Sequence, residues 1–171
     1  SGKINDEWRL VKIAETGDLP DGKKLVHPEI TVIESGGKLY MFCRNDQRLV
    51  PLLYISEDSG ETWKGPYSHN IPYINSKIYT GELPDGRYYL IANIDKIDRS
   101  KLVLYISEKG KMSFEKCIIL FDKSSKNIDG VSACHYPCAY ADNEKLYITA
   151  TVTYDQNRRG AVLFRLDLSS I

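Results

Sequence analysis

The sequence carries no surplus of either charge: 171 residues hold 23 Lys and Arg against 23 Asp and Glu. A general binder of nucleic acid or anionic membrane needs a positive excess to neutralise phosphates, so neither partner is expected. A local basic pocket for an anionic ligand is compatible with the balance. No apolar run approaches the length of a membrane-spanning helix. No signal peptide is visible, and Ser1-Gly2 reads as a protease-cleavage (expression) scar, which leaves room for a removed leader. The four cysteines, Cys43, Cys117, Cys134 and Cys138, include no C-x-x-C pair, and Cys134-x-x-x-Cys138 has no matching second pair. Zinc is therefore not expected. Most of the cysteines are expected to be buried as small apolar residues, and a disulfide cannot be assigned. His27 and His135 lack a paired-ligand pattern, so neither a metal nor a cofactor is expected. No stretch carries a convincing helical pattern.

Tyrosine is abundant, with 12 copies, often beside Leu, Ile or Val. That suits half-buried strands and also a sugar-binding surface. The chain repeats itself. Leu52-Leu53-Tyr54-Ile55-Ser56-Glu57-Asp58 recurs 51 residues later as Val103-Leu104-Tyr105-Ile106-Ser107-Glu108-Lys109. A turn followed by an alternating strand occurs three times, at Gly37–Phe42, Gly86–Ile91 and Glu144–Thr149. Each is preceded by a short strand, at Glu29–Ile33, Tyr79–Leu83 and Tyr136–Ala141. The unit is strand, turn, strand, loop, strand, turn, strand, with a period of roughly fifty residues, which fits a four-stranded propeller blade.

The stretch Ser56-Glu57-Asp58-Ser59-Gly60-Glu61-Thr62-Trp63 reads as a tight hairpin turn. Asp58 is placed to accept backbone N–H groups, Gly60 to take a positive φ, and Trp63 to fold beneath the hairpin. The pattern S-x-D-x-G-x-T-W is the Asp box, so the chain resembles the sialidase-like (BNR-repeat) β-propellers. The second copy, ending Gly110-Lys111-Met112-Ser113-Phe114, looks like a decayed Asp box with Lys109 for Asp and Phe114 for Trp. The resemblance implies an all-β fold of about three four-stranded antiparallel blades, half of a six-bladed propeller. Blades are expected at roughly 24–75, 76–127 and 128–171. Residues 7–14 read as a strand of a preceding blade, and Asp18–Gly22 as a loop. An antiparallel sandwich is the alternative fold. Three blades do not close a ring, since propellers typically need four to eight. The expected partners are thus a missing propeller half, if the chain is a piece of a longer one, or a second copy of the chain.

The resemblance covers most of residues 27–168 and extends to a candidate site. In sialidases three arginines clamp the substrate carboxylate, a tyrosine attacks the anomeric carbon and a glutamate activates it. The family places the glutamate in a short strand before the arginine that ends the next strand, as Glu29 and Arg44 stand here. It places another arginine before the strand leading to the next Asp box, as Arg99 stands, and the tyrosine at the start of the following blade, as Tyr136 stands. Arg44 and Arg99 are then the substrate-binding residues, and Tyr136 and Glu29 the catalytic pair. The chemistry is coherent. Guanidinium holds carboxylate by two parallel hydrogen bonds, and a phenol, with an ordinary pKa near 10, needs a base within reach to act as a nucleophile. One departure is Pro137 after Tyr136, where sialidases carry a small hydroxyl residue. The family's N-terminal half, with its first arginine and its acid/base aspartate, has no counterpart, so the chain alone is expected to lack hydrolase activity.

Each candidate also has a structural reading. Glu29 suits a surface ion pair, Arg44 the bonding of loop carbonyls, Arg99 a charged loop and Tyr136 the channel wall. Asp46, Asp95 and Asp155 suit strand-end caps, and Arg158-Arg159 suits a solvated turn rather than an anion site. The function that the resemblance implies is a sialidase-like exo-glycoside hydrolase acting on an acidic or substituted glycan. The alternatives are a non-catalytic carbohydrate-binding propeller and a protein-interaction propeller. A periplasmic or secreted location is implied by the resemblance alone.

Overall fold

Apolar runs, alternating or continuous, and glycine-bearing turns give eleven strands among the described residues. The computed structural model describes residues 9–13, 26–44, 51–67, 69–71, 76–95, 98–125, 128–155 and 158–171. The strands are β1 (Ile30–Ser35), β2 (Lys38–Cys43), β3 (Leu52–Ser56), β4 (Lys64–Tyr67), β5 (Tyr79–Glu82), β6 (Tyr88–Asn93), β7 (Lys101–Ser107), β8 (Phe114–Asp122), β9 (Val131–Ala141), β10 (Lys145–Tyr154) and β11 (Arg159–Asp167). They form three sheets in chain order, β1-β2-β3-β4, β5-β6-β7-β8 and β9-β10-β11, every neighbouring pair antiparallel. This is the blade arrangement, not a two-sheet sandwich. The third sheet has three strands among the described residues. Apart from 3-10 turns, among them Lys123–Ser125 and Leu168–Ser170, no helix occurs among the described residues.

Side chains alternate across each strand, and this decides what the sheets pack against. Tyr40 and Phe42 on β2 and Leu53 and Ile55 on β3 face the second sheet, where they meet Tyr88, Leu90, Ala92, Val103 and Tyr105. The other residues of β6 and β7, Tyr89, Ile91, Leu102, Leu104 and Ile106, face the third sheet and meet Leu146, Ile148, Ala150 and Val152 of β10. The middle blade is thus apolar on both faces, and β6 is buried throughout. The end blades differ. Sheet 1 turns Met41, Cys43, Leu52 and Tyr54 away from sheet 2. Sheet 3 turns Thr149, Thr151 and Thr153 away from the core, because the intervening residues of β10 point inward.

The inner strands of neighbouring blades touch directly. Thr31 Oγ1 on β1 and Thr80 Oγ1 on β5 are 2.8 Å apart. Asn93, fully buried at the end of β6, donates from Nδ2 to the Cys134 carbonyl of β9 at 2.7 Å.

Several expectations are revised. Of residues 7–14, positions 9–13 are described and form no strand. Val11 and Ile13 instead lie on the apolar outward face of sheet 1, where with Met41, Cys43 and Tyr54 they line a 310 Å³ cavity. The burial that this face offers replaces strand pairing. Two cysteines are buried, Cys43 and Cys134, but Cys117 and Cys138 are exposed, and all four are free thiols. Burial pushes the Cys43 thiol up to about 11 and that of Cys134 to about 12. The Ser1-Gly2 scar, the Asp18–Gly22 loop and Asp46 lie outside the described residues.

Candidate functional site

Glu29 and Arg44 stand one residue beyond the β1–β2 ladder, which ends with Ile30 opposite Cys43. The Arg44 N–H donates to the Glu29 carbonyl at 2.9 Å, so the two residues extend the pairing. Opposed residues of an antiparallel pair share a face. Arg44 Nη1 therefore reaches Glu29 Oε2 at 2.6 Å. Arg44 is 6% exposed, which makes this a charge-assisted bond in a largely desolvated place. His27, with φ 50°, turns the chain into this corner, and its carbonyl accepts the Glu29 N–H at 2.8 Å.

Arg99 is held by its backbone. Its carbonyl accepts the Cys134 N–H at 3.1 Å, which ties the loop of the second blade to the inner strand of the third. From there its guanidinium reaches over β9, with Nη1 3.5 Å from His135 Nδ1 and Cζ 5.0 Å from the centre of the Tyr136 ring. The His135 and Tyr136 rings meet edge-on at 5.1 Å. His135 Nε2 lies 3.2 Å from Thr153 Oγ1. An arginine only donates, so Nδ1 is the acceptor and the imidazole proton sits on Nε2, facing Thr153. Burial, and then the charges of Arg99 and Arg159, hold His135 far below its ordinary value, at about 4.

Tyr136 does not open its strand. β9 begins at Val131, and Tyr154, at the end of β10, pairs with Val131 rather than with Tyr136. Cys138 pairs with Thr149 and His135 with Thr151, so Tyr136 and Pro137 together oppose Ala150. This is a bulge, the place where a strand tolerates proline. Tyr136 takes φ 52°, uncommon for a non-glycine residue, and is 38% exposed. The bulge re-aims its ring toward Arg99.

The four residues thus fall into two pairs, Glu29 with Arg44 and Arg99 with Tyr136. Among the described residues no hydrogen bond joins Tyr136 to Glu29. Asp95 accepts from Ser100 Oγ at 3.3 Å, and the Asp155 N–H donates to the Gly130 carbonyl at 3.2 Å. His135, Thr153 and Arg159 also belong to the arrangement. The sequence sets His135 beside Tyr136 in the third blade's channel-facing stretch and reads Arg159 as part of a solvated turn, while nothing local marks Thr153. Among the described residues no three His, Cys, Asp or Glu side chains gather as a metal site.

A family model described as a BNR repeat-like domain matches residues 1–148. The chain belongs to the BNR repeat-like domain family. The intramolecular trans-sialidase from Ruminococcus gnavus, solved with oseltamivir carboxylate, matches 96% of this chain and 36% of its own at 15% identity and a TM-score of 0.67. The GH93 α-L-arabinofuranosidase of Fusarium graminearum, solved with arabinobiose, matches 81% of this chain and 44% of its own at 16% identity and a TM-score of 0.60. A Dyadobacter fermentans protein of unknown function matches 81% of this chain and 37% of its own at 14% identity and a TM-score of 0.63. At these identities the likeness is one of fold. This BNR chain has the blades of a sialidase-like, glycoside-hydrolase-type β-propeller and spans less than half the length of those structures. No curated protein matches it.

Proposed function

We propose that these blades carry part of the site of a sialidase-like exo-glycoside hydrolase acting on an acidic or otherwise substituted glycan. The observation that carries the reading is the cluster of Arg99, His135 and Tyr136 at the inner edge of blades built like those of glycosidases. Arg99 and Arg44 orient the anionic group of the substrate. Tyr136 Oη bonds to the anomeric carbon as the glycosidic C–O bond breaks, and the phenolic proton passes to Glu29. Glu29 is held by Arg44 at 2.6 Å, so substrate must draw Glu29 and Tyr136 into hydrogen-bond reach, a tightening that active sites commonly undergo on binding. The acid that protonates the leaving oxygen comes from a propeller half outside these blades or from a second copy of the chain. On this reading the three blades bind glycan without turning it over. The Ser56–Trp63 turn is an Asp box that serves the fold.

The test is turnover of a fluorogenic sialoside by a chain that contains these blades within a complete propeller. Tyr136→Phe is expected to lower kcat by about a hundredfold or more, with KM little changed. An unchanged kcat would overturn the assignment. A second reading, a non-catalytic carbohydrate-binding propeller, is favoured by the absence of a Tyr136–Glu29 hydrogen bond among the described residues. It predicts that Tyr136→Phe leaves sialyllactose binding intact and Tyr136→Ala abolishes it, with no turnover in either.

A further inference from the structure

Asn93 is the last residue of β6 and Lys101 the first of β7, so Arg99 lies on the connection that these two residues bound. The register that repeats Gly37–Phe42 as Gly86–Ile91 sets Asn93 where the first blade has Arg44. Arg44 binds Glu29 of its own blade. Asn93 reaches out of its blade. Its Nδ2 donates to the Lys101 carbonyl at 3.1 Å and to the Cys134 carbonyl at 2.7 Å.

Cys134 needs such partners. β9 lies at the edge of the third sheet, and an edge strand presents backbone groups that no ladder pairs. At Cys134 both groups are met from the second blade, the N–H by the Arg99 carbonyl at 3.1 Å and the carbonyl by Asn93. The next two residues are His135 and Tyr136, which the Arg99 guanidinium meets. His135 in turn meets Thr153, which pairs with Arg159 in one row across the third blade. One amide thus ties the backbone that carries Arg99 to the backbone that carries its partners.

The same amide costs stability. Asn93 is 0% exposed, and among the described residues its Oδ1 has no hydrogen-bond partner. A buried acceptor left unpaired is unfavourable. Turning the amide over would set Oδ1 against two carbonyls, so its orientation is fixed. Stability alone does not account for an asparagine here, and a local rule broken inside a packed interface points to a site.

We propose that Asn93 is a positioning residue. By holding the Lys101 and Cys134 carbonyls together, it fixes Arg99 of the second blade against His135 and Tyr136 of the third. Its bearing on substrate rests on the glycan reading above, whereas the positioning itself does not.

The experiment begins with NMR of the full chain. The Tyr136 ring beneath Arg99 is expected to displace the Arg99 side-chain signals upfield, with Tyr136→Leu as the baseline. Asn93→Leu, of similar volume but without donors, is expected to lose at least half of that displacement. Asn93→Ala also lacks donors and carries the test if Asn93→Leu does not fold. Ile91→Val loosens the same buried strand without removing a donor and is expected to keep the displacement. Signals unmoved in Asn93→Leu, or moved as far in Ile91→Val, overturn the proposal. In a complete propeller Asn93→Leu is expected to raise KM for the fluorogenic sialoside about tenfold. Loss of folded protein lowers the rate without moving KM. If the displacement is lost and KM stays, Asn93 still sets the cluster and the glycoside-hydrolase reading falls.

Discussion

The last hairpin turns of the first two blades are similar in sequence but are held by different physics. In the turn Ser56–Trp63 the side chains bind their own backbone. Ser56, 1% exposed, accepts the Gly60 N–H at 2.8 Å and donates to Asp58 Oδ1 at 2.8 Å. Asp58 accepts the Thr62 N–H at 2.9 Å and its hydroxyl at 2.5 Å. Trp63 Nε1 donates to the Gly60 carbonyl at 3.1 Å, beneath the hairpin. In the turn Ser107–Phe114 the serine is committed elsewhere: Ser107 Oγ accepts the Tyr88 N–H at 2.8 Å and donates to the Glu108 carbonyl at 2.8 Å. This turn leans on its surroundings instead. Gly110 donates to the Gly86 carbonyl at 2.9 Å. Phe114, 3% exposed, packs edge-on against Phe42 of the first blade and beside His69, and its carbonyl accepts from Asn70 Nδ2 at 2.8 Å. One turn is closed upon itself, while the other is a plug between blades. Losing the Asp and Trp of the motif did not leave the second turn unsupported, because tertiary packing took over what local hydrogen bonds did.

The comparison breaks most visibly at Phe114. Phe114→Ala is expected to destabilise the chain by about 3–5 kcal/mol through the cavity it leaves between blades, read from denaturant unfolding. A loss no larger than that of an exposed substitution would mean that the second turn does not depend on its plug.

Acid should separate the two turns next. Burial lowers His69, beside Phe114, from an ordinary 6.5 to about 4, with the Met112 backbone opposing the shift. Between those values the unfolded chain binds more protons, so stability is full above about 6.5 and falls as pH drops toward 4. The fall attributable to His69 is on the order of 3 kcal/mol. His135 titrates over the same window, so His69→Gln should remove about half of the slope in melts across it. Asp58 behaves oppositely in range. Its bonds to Thr62 and Ser56 lower it from 3.8 to about 2, so its contribution is present above 3.8 and lost only as pH falls toward 2. A chain whose stability is flat from pH 6.5 to 4 would refute this ordering.

A smaller effect is expected at Ser56. Ser56→Ala strands the Gly60 N–H and a lone pair of Asp58, at a cost of about 1–3 kcal/mol, whereas Ser107→Ala should expose its difference through the Tyr88 N–H, a strand contact rather than a turn contact. Thermal melts of both variants, with amide exchange at Gly60 and Tyr88, sharpen the contrast. The smallest effect is expected from Lys109→Asp, within about 0.5 kcal/mol. Restoring the aspartate alone does not rebuild the first turn's network while Ser107 Oγ points at β6. A strong gain in stability would show that the second turn still waits for its acid.

The blades were legible because their signals are local. The continuous apolar runs of Leu52–Ser56 and Leu102–Ser107, and the repeat of Gly37–Phe42 at Gly86–Ile91, specify strands and turns by residue type alone. Phe114 was legible only as a degraded Trp63, since its role depends on Phe42, far away in the chain. At the site, Glu29 and Arg44 were legible as neighbours because antiparallel pairing places the start of one strand beside the end of the next. Tyr136 was placed at a strand start because Pro137 hides the bulge, and with it the five residues of β9 that precede Tyr136. Arg159 reads as a solvated turn rather than an anion site, because an arginine in a short polar stretch resembles any such turn.

The sequence by itself determined the strands, their order in three antiparallel blades and the closed chemistry of the Ser56–Trp63 turn, because each depends on alternation, glycine and hydrogen bonds within a few residues. The tertiary structure decided the rest. It set Phe114 between blades and brought Arg99 of one blade against His135, Tyr136 and the Thr153–Arg159 row of the next. Those partners lie 36 to 72 residues apart. No local rule links residues so far apart, and only the packing of one twisted sheet on another fixes the few ångströms on which a charge–charge contact depends.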